Sequence, residues 1–166
     1  MPIVSPIPFN PLADGRQSDR AMLVRRGVQR LLIAMGAVAI PELSLATGRR
    51  ADLVALTRKG EIWIVEIKSS VEDFRTDRKW PEYRAFCDRL FFATHPDVPA
   101  AIFPVEAGFI LSDGYGAEML REAPEHRLGA PARKALTLRI ARAGAARLTA
   151  AEMAGVAIPA LDVETS

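Results

Sequence analysis

With 166 residues, 49% of them hydrophobic, the chain is long enough for one domain with its own core. Its 22 Lys and Arg against 20 Asp and Glu leave a net charge of +2, which permits a polyanionic partner without demanding one. A single cysteine, Cys87, excludes an internal disulfide, and His95 and His126 add too few ligands for a Cys/His zinc site. Nothing in MPIVSPIPFN reads as a signal peptide and no apolar run is long enough to span a bilayer, so a cytoplasmic protein free of the membrane is expected.

The sequence divides into an N-terminal arm over residues 1–17, a single domain over 18–148 and a C-terminal tail over 149–166. Ser18 and Asp19 can cap a helix in which Met22, Leu23, Val28, Leu31, Leu32 and Met35 recur at helical spacing. Arg20, Arg25, Arg26 and Arg30 fall on its polar side, and it ends near Gly36. Val38 to Leu43 reads as a short strand, which Pro41 places at an edge or a bend. Arg50 to Thr57 and Glu61 to Ser69 read as a hairpin around Arg58-Lys59-Gly60, with the glycine in a left-handed position. Ser70, three residues ahead of Asp73, starts a helix that runs through VEDFRTDRKW until Pro81 interrupts or restarts it. Arg89 to Thr94 and Gly108 to Ser112 are further strands, and Gly114 and Gly116 turn the chain before Ala117 to Arg121. Pro131 opens an Ala/Arg-rich helix that should reach about Ala146. The order helix, three strands, helix, strand predicts an α/β fold, a mixed central sheet flanked by helices with an α-β-β-β-α-β core.

Chemistry concentrates in the hairpin. In IWIVEIK, alternation puts Ile62, Ile64, Glu66 and Lys68 on one strand face, which changes from apolar to charged along its length. Asp52, Val54 and Leu56 repeat the change on the partner strand. Directly opposed residues of an antiparallel hairpin point the same way, so Asp52 faces Glu66 if the loop is odd, as Arg58-Lys59-Gly60 is. A two-residue loop would set Asp52 against Ile67 and separate the acids. Two carboxylates at the edge of an apolar core raise each other's pKa, and a hard divalent cation relieves the repulsion. Mg2+ is the natural candidate, with Mn2+ its substitute. Lys68 is placed to orient or deprotonate a metal-bound water, or to stabilise charge on a phosphoryl group. The competing reading is an ion-pair network of Asp52 or Glu66 with Lys68 that has no catalytic task.

RADLVAL followed by IWIVEIKSS resembles the PD-(D/E)xK nuclease superfamily, and residues 49–94, with EIKSSVEDFRTDRKWPEYRAFCDRLFFAT, resemble the MmcB-like DNA repair proteins. The resemblance implies a restriction-endonuclease-like fold in which Asp52 and Glu66 match the metal-binding acids and Lys68 the catalytic lysine. Ala51 stands where the proline that names the motif would be. Many relatives add an acid from the first helix, but this helix offers only Asp19 near its start, so Glu42 becomes the candidate third carboxylate. A plain strand-end glutamate is the alternative for Glu42. Ile67 completes the expected metal set. The expected activity is that of a Mg2+-dependent DNA endonuclease that hydrolyses phosphodiester bonds, its role in DNA repair resting on resemblance alone. A non-catalytic DNA-binding or scaffolding protein that keeps the fold is the alternative, and a homodimer is compatible with either.

Arg49 and Arg50 before Asp52, and Arg75, Arg78 and Lys79 after the E-x-K strand, flank the acids with cations suited to DNA backbone phosphates. Trp80 and Tyr83 read first as core residues and second as a stacking platform for an unpaired base. Ser69 and Ser70 can contact phosphate or a metal-bound water, though helix capping accounts for Ser70 more simply. Cys87, His95 and His126 have no partners at motif spacing. Arg133, Lys134, Arg139, Arg142 and Arg147, with no acid between Pro131 and Ala150, make the last helix either a solvated face or a second contact with nucleic acid.

Overall fold

The computed structural model describes residues 19–160, so the expected cap at Ser18, the arm before it and residues 161–166 lie outside the described residues. The helices are α1 (Asp19–Ala34), α2 (Val71–Thr76) and α3 (Ala130–Met153). The strands are β1 (Val38–Ser44), β2 (Arg50–Leu56), β3 (Ile62–Ile67), β4 (Arg89–Thr94), β5 (Gly108–Ser112) and β6 (Ala117–Arg121). Short 3-10 segments cover Trp80–Phe86 and Ala100–Ile102. All six strands join one sheet in the order β1-β2-β3-β4-β5-β6. Pairing is antiparallel from β1 to β3, parallel from β3 to β5, and antiparallel again between β5 and β6. This is the mixed α/β sheet flanked by helices that the order of elements predicts. Among the described residues no helix is long and apolar enough to cross a membrane.

Alternation along the strands divides the core between the two faces. Leu53, Ala55, Val65, Ile67, Phe91, Ala93 and Ile110 pack against α1. Val54, Ile62, Ile64 and Leu90 face the other way, against Tyr83, Cys87 and Leu136 of α3. On that second side Phe92 and Phe109 close over Val98 and Phe103, beneath the connections that link the parallel strands. The buried stripe of α1 is Ala21, Val24, Val28 and Leu32, shifted from the expected one, and Leu23 and Met35 stay about half exposed at 49% and 47%. That shift carries Arg25 into the interior. Gly27 lets α1 close on the sheet: a Cβ there would sit 2.1 Å from Ser112 Oγ and 2.6 Å from the Gly116 carbonyl oxygen.

α3 continues past the expected end near Ala146 to Met153, because Ala150 and Ala151 sustain it. Gly155, with φ of 87°, follows the helix. Fully buried Asp88 fastens its start, accepting from Ile62 N at 2.7 Å, Leu128 N at 2.8 Å and both Arg133 amino groups at 2.7 and 2.8 Å. Farther along, Arg139 donates to the Ser44 carbonyl and Arg147 to the carbonyls of Pro41 and Glu42. These arginines lay the helix beside β1 and occupy carbonyls of an edge strand that would otherwise be open to other chains. Arg133→Ala leaves the Asp88 carboxylate buried without its cation, and a loss of about 2–4 kcal/mol in denaturant unfolding is expected. A loss below about 0.5 kcal/mol would show that the pair does not hold α3 in place.

Candidate functional site

The hairpin loop has the odd length that the site requires. Thr57 N donates to Glu61 O at 3.0 Å, leaving Arg58-Lys59-Gly60 as the turn, with Gly60 at φ of 80°. Leu53 is therefore opposite Val65 and Leu56 opposite Ile62, and the next rung aligns Asp52 with Glu66. At that rung carboxylates take over from the regular ladder. Ile67 N donates to Asp52 Oδ2 at 2.7 Å, and Asp52 N donates to Glu66 Oε1 at 3.1 Å. Each acid thus satisfies a backbone donor of the partner strand.

The neighbouring strand bends at the same level. Pro41 pairs with Leu53 and Leu43 with Ala51, placing Glu42 between them beside Asp52, and Glu42 has φ of 52°. Ile40 and Leu43 share one core cluster, as do Val54 and Ala51, so the strict alternation expected of β2 breaks at the Glu42–Asp52 level. The bend is held by Arg147 from α3 and by arginines on both sides of the Glu42 carboxylate. Arg25 Nη1 lies 4.0 Å from Glu42 Oε2 and Arg50 Nη2 lies 3.5 Å from Oε1. Glu42 is thereby directed at arginines, and among the described residues no three His, Cys, Asp or Glu side chains are gathered to hold a metal ion. The acids brought together are Asp52 and Glu66. Ile67 adds a main-chain group to them, its side chain being packed in the core beneath α1.

Lys68 has a partner that its sequence position does not reveal. Its Nζ lies 2.6 Å from Asp77 Oδ2, with the ammonium buried. Asp77 caps the C-terminal end of α2, and Ser70 caps the start by accepting from Asp73 N, as its position predicts. Asp73 also accepts from Ser69 N at 2.9 Å. Beneath this turn Thr94 donates to the Lys68 carbonyl at 2.7 Å, and the His95 ring pairs with the Ser69 carbonyl at 2.8 Å. His95 therefore has a structural task where spacing assigned none. The acids of VEDFRTD were visible in the sequence, but nothing in their spacing distinguished Asp77, since its reach to Lys68 depends on where so short a helix ends.

Among the flanking cations, Arg49 pairs with Glu82 at 2.5 Å and Arg50 with Glu42. Arg75, Arg78 and Lys79 are exposed, and their side chains make no hydrogen bond or ion pair among the described residues. Tyr83 is buried and donates to the Arg50 carbonyl at 3.0 Å, while Trp80 is edge-on to Phe92, so both follow the core reading.

Burial dominates the electrostatics. It raises the pKa of Glu66 well above the usual range, the charge of Asp52 adds to the rise, and the Asp52 N–H and Lys68 oppose it. It lifts Asp52 to about 6 against the Ile67 hydrogen bond and Lys68, with help from Asp73 and Glu42. Burial works the other way on Lys68, but the hydrogen bond and charge of Asp77, joined by Glu66 and Asp73, outweigh it and raise the ammonium above its ordinary value. In this arrangement Lys68 is held as a cation by its contact with Asp77. The pair beside it is costly to ionise unless a further positive charge is supplied.

The model of the MmcB-like DNA repair proteins matches residues 9–155. The chain belongs to the MmcB-like family. No curated protein matches it. A solved structure similar to this MmcB-like chain is the SPO1766 protein of unknown function from Silicibacter pomeroyi, 38% identical with a TM-score of 0.80, the match covering 88% of this chain and 99% of that one.

In the MmcB-like fold, the raised pKa of Asp52 means that the folded state holds its proton more tightly than the unfolded chain does. The buried charge therefore penalises folding above about pH 6, and the penalty fades as pH falls through that value. Asp52→Asn keeps an oxygen for Ile67 N and discards the charge. It should raise stability by about 1–3 kcal/mol at high pH and by much less at pH ~4, as read from melting curves in chelator. Destabilisation at both pH values would contradict this account.

Proposed function

We propose that the chain is a metal-dependent DNA nuclease of PD-(D/E)xK type that hydrolyses phosphodiester bonds and serves DNA repair. The observation that carries this reading is the pairing of half-buried Asp52 with buried Glu66, pressed together by the hairpin register and costly to ionise, followed on the strand by Lys68, whose ammonium Asp77 holds. Asp52 and Glu66, with the main chain at Ile67, would hold Mg2+ or Mn2+; two carboxylates suffice, since Mg2+ keeps several of its waters. A bound ion of this kind supplies a Lewis acid that activates water and offsets phosphate charge.

The remaining steps belong to the chain's own groups. Lys68 presents positive charge where negative charge grows on the phosphoryl oxygens, and to do so it exchanges Asp77 for the substrate. Arg75 in the last turn of α2 and Arg78 and Lys79 just after it, all exposed, hold backbone phosphates without reading bases. Glu42 is assigned a positioning task in place of ligation: it holds Arg25 and Arg50 against the bend beside Asp52.

The close Lys68–Asp77 contact supports a second reading, in which the fold binds DNA or serves as a scaffold and the lysine has only a structural partner. The two are separated by incubating supercoiled, branched and single-stranded DNA with Mg2+ or Mn2+ and comparing wild type with Asp52→Asn and Lys68→Gln. Catalysis predicts cleavage by wild type and a loss of roughly 100-fold or more in each variant, both remaining folded by circular dichroism. Cleavage equal in all three, or none on any substrate, overturns the nuclease reading. Metal binding gives an independent check: Mn2+ affinity should fall as pH drops below about 6, because protons compete for Asp52, and should vanish in Asp52→Asn.

A further inference from the structure

We propose that α3 is a docking surface for the phosphate backbone of duplex DNA. This rests on the reading of DNA as the partner, but not on cleavage. The charge is segregated. Of the chain's 22 Lys and Arg, six lie between His126 and Ala151, where none of its 20 Asp and Glu occurs, so the remainder carries 16 cations against 20 acids. The positive excess of the whole chain therefore resides in this one segment.

The tertiary structure leaves most of that charge unneutralised. Arg133 is matched by Asp88, but Arg139 and Arg147 donate to carbonyl oxygens, which carry no formal charge. Arg127, Lys134 and Arg142 are exposed and make no hydrogen bond or ion pair among the described residues. Lys134 and Arg142 stand on one ridge with Leu138, which is 54% exposed, between them. Shallow recesses open on either side of Leu138. One, of ≈ 450 Å³, is bordered by Arg127 and Lys134, and the other, of ≈ 460 Å³, by Arg139 and Arg142.

Length and composition favour a duplex over other polyanions. The 24 residues of α3 extend about 36 Å, close to one helical turn of B-DNA at about 34 Å. From Ala141 to Ala146 the residues around Arg142 are alanines and a glycine, so little bulk keeps a phosphate backbone at a distance there. The helix has no Trp, Tyr or Phe, and its apolar stripe of Leu136, Ile140 and Ala143 is packed on the sheet, where it cannot enter a lipid surface. Arg147 reaches the carbonyls of Pro41 and Glu42, so a duplex lying along α3 extends toward the end of the sheet that holds Asp52.

The test measures binding of the full chain to a fluorescent duplex of ~30 base pairs in chelator, so that no cleavage intervenes, over about 50–200 mM salt. Lys134→Ala/Arg142→Ala, whose side chains support nothing in the fold, should weaken binding roughly tenfold or more and flatten the slope of log affinity against log salt by about 2. Arg75→Ala/Arg78→Ala serves as the comparison. An unchanged affinity and slope in the α3 variant, or no wild-type binding to the duplex, overturns the proposal, as does capture by phosphatidylserine vesicles in place of the duplex. If the α3 variant loses binding while wild type fails to cleave with Mg2+, the docking surface stands and the nuclease reading falls. If wild type cleaves and only the Arg75/Arg78 variant loses binding, the reverse holds.

Discussion

The register of the β2–β3 hairpin is the constraint on which the acidic end of the molecule depends. A side-chain period of two makes a strand pair sensitive to a single-residue slip, and the three-residue turn closed by Gly60 removes that freedom. With Leu53 held opposite Val65, Asp52 can only come level with Glu66. The apolar rungs beyond it, Val54 with Ile64 and Leu56 with Ile62, anchor the register in the core. The cost of pressing two carboxylates together is thus met by burial elsewhere in the same hairpin.

Once the acids are level, their surroundings decide what they can do. Both answer backbone N–H groups, which orients them, and Glu66 is buried while Asp52 is half-buried, which makes their charge expensive. Lys68 offsets part of that cost but is shared with Asp77. Holding two carboxylates together where burial makes their charge costly is a poor way to stabilise a fold, and the proposed metal site would give the arrangement a purpose. The Glu42 bend shows the opposite solution: there the carboxylate lies between Arg25 and Arg50, and an arginine from α3 fixes the main chain beneath it.

Arginine use follows one logic through the molecule. Arg133 balances a buried aspartate, Arg147 occupies the carbonyls of a bent edge strand, and Arg49 and Arg50 stabilise the approach to β2. Planar guanidinium groups with several donors suit carbonyl and carboxylate clusters at places where regular pairing stops. The cations left for a partner are fewer than their number in the sequence suggests, and they include Arg75, Arg78 and Lys79 at α2 and Lys134 and Arg142 along α3.

Much of this was legible from the sequence by itself. The strands β4 and β5, the Ser70 cap and the hairpin with Gly60 at its turn come from local pattern and turn chemistry, because period-two alternation and the left-handed freedom of glycine act within a few residues. From those local rules came the pairing of Asp52 with Glu66. What needed the tertiary structure were contacts between groups distant in the chain or set by irregular backbone: Arg25 reaching Glu42 from α1, Asp77 holding Lys68, and Asp88 binding Arg133. Glu42 is the instructive case. As a residue type it was a fitting third carboxylate, yet its left-handed backbone and two arginine neighbours determine where it points, and a bend at that residue leaves no periodic signature. The sequence determined that two acids and a lysine would share one end of a hairpin. Only the packing of α1, α2 and α3 around that end decided which charges remain open to a ligand, since burial and long-range pairing, rather than residue type, govern ionisation.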